Sequence, residues 1–286
     1  MTTATATAAP ISTGRPARKR RPAREGQLTA VSGLGLGVAM LWFSLLVLIP
    51  LSAVVVTAVD GGWSSFWNTI TNEQTQAAVR LTVGEAFLVT IVNVFMGTLI
   101  AWVLVRDNFW GKGALEVLID IPFALPTIVA GLVLLSLYGP DSPLGVNVAN
   151  TRSAVFLAFL FVTLPFIVRT VQPVLAELDR EVEEAARSLG ATPFTTFRRI
   201  VLPSLIPAIA AGAALSFARA VSEYGSLVLL SGNLPGRTEV ASVRILSSIE
   251  NDNTAAAASV ATVLLAISLA VIVIFDVTQR ILARRG

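Results

Sequence analysis

Six long apolar runs set the pattern of this chain, at roughly 32–59, 81–105, 115–137, 153–171, 205–230 and 256–279. Each approaches or exceeds the 20 or so apolar residues that a helix needs to cross a bilayer. In lipid the backbone must satisfy its own hydrogen bonds, and a helix does so within one segment. The pattern therefore predicts an all-α, polytopic membrane protein with six transmembrane helices. No internal repeat is visible. Pro50, Pro122, Pro126, Pro165 and Pro207 fall within these runs or at their edges. A proline frees the carbonyl four residues back, so such helices should kink or break where protein, not lipid, surrounds them. The stretch Ile121-Pro122-Phe123-Ala124-Leu125-Pro126-Thr127 should not continue as a straight helix. It is either a packing kink or a bend that lines a pathway. Pro122, Pro126 and Thr127 are the candidates for the second role.

Composition agrees with a lipid solvent. Of 286 residues 54% are hydrophobic and only 14% charged, with a mean hydropathy of +0.75. A soluble domain carries about 25% charge. Cysteine and histidine are both absent. That removes thiol nucleophiles, the usual zinc ligands and imidazole acid–base chemistry, so neither cofactor nor metal is expected. The net charge of +3 and pI near 9.9 come from topology and imply no nucleic-acid partner. Residues 1–30 form a basic arm (Arg15, Arg18, Lys19, Arg20, Arg21, Arg24) without apolar periodicity, read as disordered and cytosolic. The run that follows is too long for a signal peptide and is taken as an uncleaved first helix. With the N-terminus inside, the basic residues at 106, 112, 169, 180, 187, 198, 199, 280, 284 and 285 also fall inside. Only Arg80, Arg152, Arg237 and Arg244 lie outside. This asymmetry predicts that both termini face the cytosol.

The longest polar stretch joins the fourth and fifth runs, from about Gln172 to Ser204, within a membrane domain of residues 31–286. Two short helices with a turn between them are expected. Glu177, Asp179, Glu181, Glu183 and Glu184 crowd the start of the first, where the helix dipole favours negative charge. Ala185, Ala186 and Leu189 give it a small apolar face, and Gly190 marks its end. Pro193 suits the first turn of the second. Phe194, Phe197, Ile200 and Val201 form an apolar stripe, and Leu202-Pro203 closes the segment before the fifth span. Such a loop is either a solvated hairpin or a short helix seated in a partner's groove.

Glu184-Ala185-Ala186, Gly190 and Ile200-x-Leu202-Pro203 resemble the signature of permease subunits of bacterial ATP-binding-cassette importers, at every fixed position. The resemblance implies the type I, MetI-like permease fold. It also implies that these residues form a coupling helix held in a cleft of a cytosolic ATPase dimer. More narrowly, residues 164–175, 121–127 and Ser222-Glu223-Tyr224-Gly225 resemble the sulfate/thiosulfate permease of the T type. The turn Gly232–Glu239 resembles that family and molybdate permeases alike. This likeness covers about residues 30–285. It implies a subunit of an ATP-driven sulfate or thiosulfate importer in a bacterial plasma membrane, with a different but related permease as its partner. An extracytoplasmic sulfate-binding protein would deliver the anion. No phosphate-binding loop of the G-x-x-x-x-G-K-[ST] kind occurs, so nucleotide belongs to the partner and the chain is not an enzyme.

Charges inside the apolar runs complete the picture. Arg219 and Glu223 lie four residues apart in the fifth run, on one helix face. They are either a self-satisfied ion pair or part of an anion path in which Glu223 holds Arg219. Hydroxyls such as Ser216 and Ser222 are expected to make transient contacts there. Glu116 and Asp120 share a face near the inner boundary and are expected to be solvated or capped, with proton coupling the sharper alternative. Rival functions are a molybdate or tungstate permease, and a secondary transporter driven by an ion gradient. The basic arm could touch anionic membrane lipid.

Overall fold

The computed structural model describes residues 30–283; the basic arm, Arg284 and Arg285 lie outside the described residues. Two compact units divide the chain, Met1–Pro50 and Leu51–Gly286. Every described element is helical. Five helices are long and apolar enough to cross a membrane, and a bent pair makes six if counted as one broken span.

The first span, α1, is Ser32–Asp60, with a π-helical turn at Ser44–Leu48. That turn ends two residues before Pro50. The Ile49 N–H reaches back to the Ser44 carbonyl, and the widened turn accommodates a residue that has no N–H to give. In the second unit a short helix α2, Trp63–Thr71, leads into α3, Glu73–Arg106. The Asn72 side chain caps α3 by accepting from the N–H groups of Gln74 and Thr75. The bent pair follows: α4, Lys112–Ala124, and α5, Thr127–Tyr138, turn by 119°. Next come α6, Arg152–Glu177, α7, Arg180–Ser188, and α8, Pro193–Val221. Three more complete the chain: α9, Gly225–Leu230, α10, Ala241–Glu250, and α11, Thr254–Ala283.

Helices α3, α6 and α8 form the centre. One apolar cluster (Val89, Phe159, Phe217, Leu227, Val260) fills the half near the start of α3. A second (Leu104, Ile167, Val171, Val201, Leu205) fills the half near its end. Between them Asn93 of α3 donates its amide to the Thr163 hydroxyl of α6 at 2.8 Å, fully buried. In a bilayer there is no water to hydrate such a group, so the bond fixes how the two helices face each other. Gly97 lets Ile167 come close beside it; a Cβ there would lie 2.8 Å from that side chain. Large apolar side chains such as Phe87, Phe95, Leu269 and Ile274 face outward.

Three expectations need correction. The fifth run is not one helix: α8 stops at Val221, residues 222–224 break it, and α9 begins at Gly225. Glu223 therefore sits past the helix end. Leu202-Pro203 closes nothing, because the second short helix runs straight on into α8. A π-helical turn at Phe197–Val201, again ending two residues before a proline, carries the helix past Pro203. The spacing of Phe194 to Val201 was thus the start of a spanning helix. Finally, α6 extends beyond residue 171 to Glu177, so the joining loop is shorter than its polarity suggests. The predicted break at Pro122–Thr127 is present: Pro122 lies inside α4, Leu125 is extended, and Pro126 precedes α5.

The two breaks touch. A Cβ on Gly131 would lie 2.6 Å from the Ser226 carbonyl, and one on Gly225 would collide with Thr127. Neither contact is with the tip of a long side chain, so there is little slack. Gly131→Ala is expected to cost on the order of 1–3 kcal/mol through overpacking, seen as a lowered unfolding temperature of the purified protein. Gly113→Ala, which meets open space, should leave that temperature unchanged or slightly raised.

Candidate functional site

Helix α7 and the turn after it form a protruding tip. Asp179 caps α7 by accepting from the Glu181 N–H, and Glu181 and Glu183 lie in its first turn with Arg187 in its last. These charges match the helix dipole. The chain leaves through Gly190 in the left-handed region (φ 86°), which glycine adopts without penalty. Thr192 accepts from the Thr195 N–H and starts the next helix at Pro193. Glu184, Ala185 and Gly190 are exposed here and Ala186 is half-buried. Leu189 is 90% exposed and Phe194 71%. Two bare apolar side chains thus flank a glycine with open space around it.

Ile200, Leu202 and Pro203 are not part of that tip. They lie on α8, where Leu202 lines an apolar groove with Trp102 and Phe197. The predicted signature residues thus divide into an exposed tip and a root. Phe197 stacks edge-on against Trp102 at 5.6 Å, which ties the root of α8 to α3.

Beneath the tip Arg106, the last residue of α3, pairs with Glu183 of α7. The side chains are 12% and 9% exposed, and the guanidinium also lies over the Trp102 ring, 5.4 Å from its centre. A buried pair of this kind costs desolvation, so it acts chiefly to fix register. A second clamp joins α6 to the bent pair. Arg169 donates to both carboxylate oxygens of Asp120, to the Glu116 carbonyl and to the Gln172 side chain. Asp120 is therefore half-exposed and paired rather than simply solvated.

The candidate path residues meet at the two breaks. Arg219 Nη1 lies 2.6 Å from Glu223 Oε2. The other oxygen of that carboxylate accepts from both the N–H and the hydroxyl of Ser226, so Glu223, 1% exposed, also stitches the break to α9. The Glu223 carbonyl accepts from Ser242 of α10 at 2.7 Å. Ser222 is exposed and bonds to the Arg219 carbonyl. Ser216 is fully buried, its hydroxyl without a hydrogen-bond partner. Thr127 is brought against Gly225, two residues after Glu223, while Pro122 and Pro126 lie on the chain leading into that contact.

A bundle of spanning helices with an exposed tip at one end and paired broken helices inside matches a known architecture. The profile of the family described as binding-protein-dependent transport system inner membrane component matches residues 93–285. The chain belongs to that family. Its similarity extends further. The sulfate transport system permease protein CysT of Salmonella typhimurium is 42% identical over 259 residues, covering 88% of this chain and 94% of that protein. The protein of the same name from Synechocystis is 43% identical, covering 85% of this chain and 87% of the other. Among solved structures, a bacterial ABC transporter involved in importing the acidic polysaccharide alginate superposes with a TM-score of 0.72 at 15% identity. It covers 87% of this chain and 95% of that one. The fold is that of MetI-like ABC importer permeases, and the permease is a transport component, not an enzyme.

Sequence reasoning missed both clamps of this permease. Arg106 and Glu183 are 77 residues apart, Arg169 and Asp120 49. The available signal was the position of each arginine at the end of an apolar run, where a lone charge needs a partner. Glu183→Ala should strand the Arg106 charge and cost about 3–5 kcal/mol. Adding Arg106→Met should recover most of that loss. Thermal unfolding of the four proteins of this double-mutant cycle checks it.

Proposed function

We propose that this permease is half of the translocation pathway of an ATP-driven sulfate or thiosulfate importer. The α7 tip is its handle for a cytosolic ATPase. The observation that carries the reading is a tip anchored by the Arg106–Glu183 pair, with bare apolar ends at Leu189 and Phe194 on either side of Gly190. Charge asymmetry supports placing that tip, and both termini, in the cytosol. Residues 1–30 are then a basic arm on the same side, and 31–286 the membrane domain with its coupling loop within 172–204. A second, related permease supplies the other half of the path, and an extracytoplasmic binding protein delivers the anion.

Sulfate is favoured by relatives named for it across most of the chain. In this reading ATP binding closes the ATPase pair and drags the tips. Helices α6 and α8 carry that motion to the breaks, and Arg219, Ser222, Glu223, Pro122, Pro126 and Thr127 line the path. Arg219 supplies positive potential while Glu223 keeps it from becoming a tight trap.

The chain has no native cysteine, so Leu189→Cys gives a single reactive thiol. It should cross-link to the ATPase subunit and be labelled only from the cytosolic side. Gly190→Trp should weaken ATPase retention about thirtyfold, the scale of losing one interface hot spot of about 2 kcal/mol, and abolish ATP-dependent sulfate uptake in proteoliposomes. Intact uptake in Gly190→Trp together with its loss in Arg219→Ala would instead indicate a transporter driven by an ion gradient. Molybdate outcompeting sulfate would reassign the cargo.

A further inference from the structure

A groove of about 430 Å³ opens at the far end of the bundle from the α7 tip, between α2, the start of α3, α10 and the start of α11. Its walls are polar and carry no carboxylate: Ser64, Ser65 and Asn68 come from α2, Asn72 and Thr75 from α3, and Arg244 from α10. Three features single it out. Arg244 pairs with no carboxylate among the described residues, and its Nε is buried without a hydrogen-bond partner. Thr75 is 1% exposed, and its hydroxyl is likewise unpartnered. Other polar atoms inside the bundle are unpartnered too, but here an unpaired guanidinium stands beside such a hydroxyl at the wall of an open groove.

The third feature is the direction of the remaining groups. Asn72 Oδ1 is used by the N–H groups of Gln74 and Thr75, and Asn253 Oδ1 by the N–H of Ala256. Capping therefore turns both side-chain NH₂ groups into the free ends, so the groove presents donors. Both asparagines also stand at the N-terminal ends of long helices, α3 and α11, where the helix dipoles add positive potential. The Glu239 carboxylate, which accepts from the Gln74 amide at 2.8 Å, keeps its charge but does not line the groove. A donor-rich lining whose one charged side chain is Arg244 suits a tetrahedral oxyanion.

We propose that this groove is a sulfate-docking site, the first station that the anion meets on the permease; this rests on the sulfate-importer reading above. It sits beside the breaks. Ala241, the first residue of α10, donates its N–H to Thr82 of α3, about 10 Å along the helix from Thr75. Ser242 holds the Glu223 carbonyl while Arg244, two residues on, faces the groove. Helix α10 thus spans the distance between the docking site and Arg219.

A lipid phosphate has the same chemistry, and Trp63 and Trp67, exposed on α2, suit the headgroup level. The test therefore separates the two. The assembled importer is placed in phosphatidylcholine nanodiscs, without nucleotide or binding protein, and retention of radiolabelled sulfate is measured by equilibrium dialysis. The wild type should retain the label. Arg244→Gln should bind about tenfold to a hundredfold more weakly, the range for losing a charged hydrogen bond. Should Arg244→Gln fold poorly, Asn68→Asp on the exposed helix α2 puts a repelling carboxylate in the groove and should weaken binding similarly. Unchanged retention in both variants overturns the proposal, as does loss of wild-type retention when phosphatidylglycerol replaces phosphatidylcholine. If instead the wild type takes up no sulfate with its ATPase and binding protein present, the importer reading itself fails.

Discussion

Irregular backbone inside a membrane must find its hydrogen bonds within the protein, and this constraint organises the bundle. The permease breaks two of its spans, at Pro122–Thr127 and at Ser222–Tyr224, and seats one break against the other. Gly131 and Gly225 allow that approach because a side chain at either would strike the opposite segment. Glu223 then closes the freed donors of α9, and Ser242 takes up the Glu223 carbonyl. No single group could satisfy either break alone. The consequence is an asymmetric molecule: short, interlocked pieces are held among helices that run unbroken, α3, α6 and α11.

That asymmetry divides the mechanical work. Two clamps lie toward the tip: Arg106–Glu183 ties the end of α3 to α7, and Arg169–Asp120 ties α4 to α6, the helix that leads into α7. Desolvation makes the buried Arg106–Glu183 pair a poor source of stability, but breaking it is costly, and that combination resists slippage. The π-helical turn before Pro203 matters for the same reason. It lets α8 run uninterrupted from Pro193 to Val221, so motion at its root arrives at the Arg219 break.

Much of this was legible beforehand, for definable reasons. Apolar run length located the spans because lipid imposes length directly, and the prolines at 122 and 126 located one break because a missing N–H is a local property. The exposed tip was legible through Glu184, Ala185, Ala186 and Gly190, since small residues beside a helix stop are a local signal too. The break at Ser222–Tyr224 was not. Its sequence contains no proline, the apolar run continues through it to residue 230, and only the neighbouring α5 and α10 make an interruption affordable. The clamps and the Arg244 groove were invisible because they join residues far apart in sequence, and no single-chain periodicity records such a meeting. The closing role assigned to Leu202-Pro203 failed differently: proline was read as a stop, where a widened turn made it a continuation.

The distribution of charge along the proposed route is itself an argument about transport. At the open end Arg244 pairs with no carboxylate among the described residues, so an approaching dianion gains most there. At the breaks Arg219 is already neutralised by Glu223, so the same anion gains less. An order reversed from this, with a bare arginine deep in the bundle, would pay the full cost of a buried charge when empty and hold the anion too well when full. Placing the unpaired charge at the rim and the paired one inside lowers both penalties. A pathway that must be entered often and left quickly is better served by weak successive contacts than by one strong site, and the pairing of Arg219 supplies that weakness within the span.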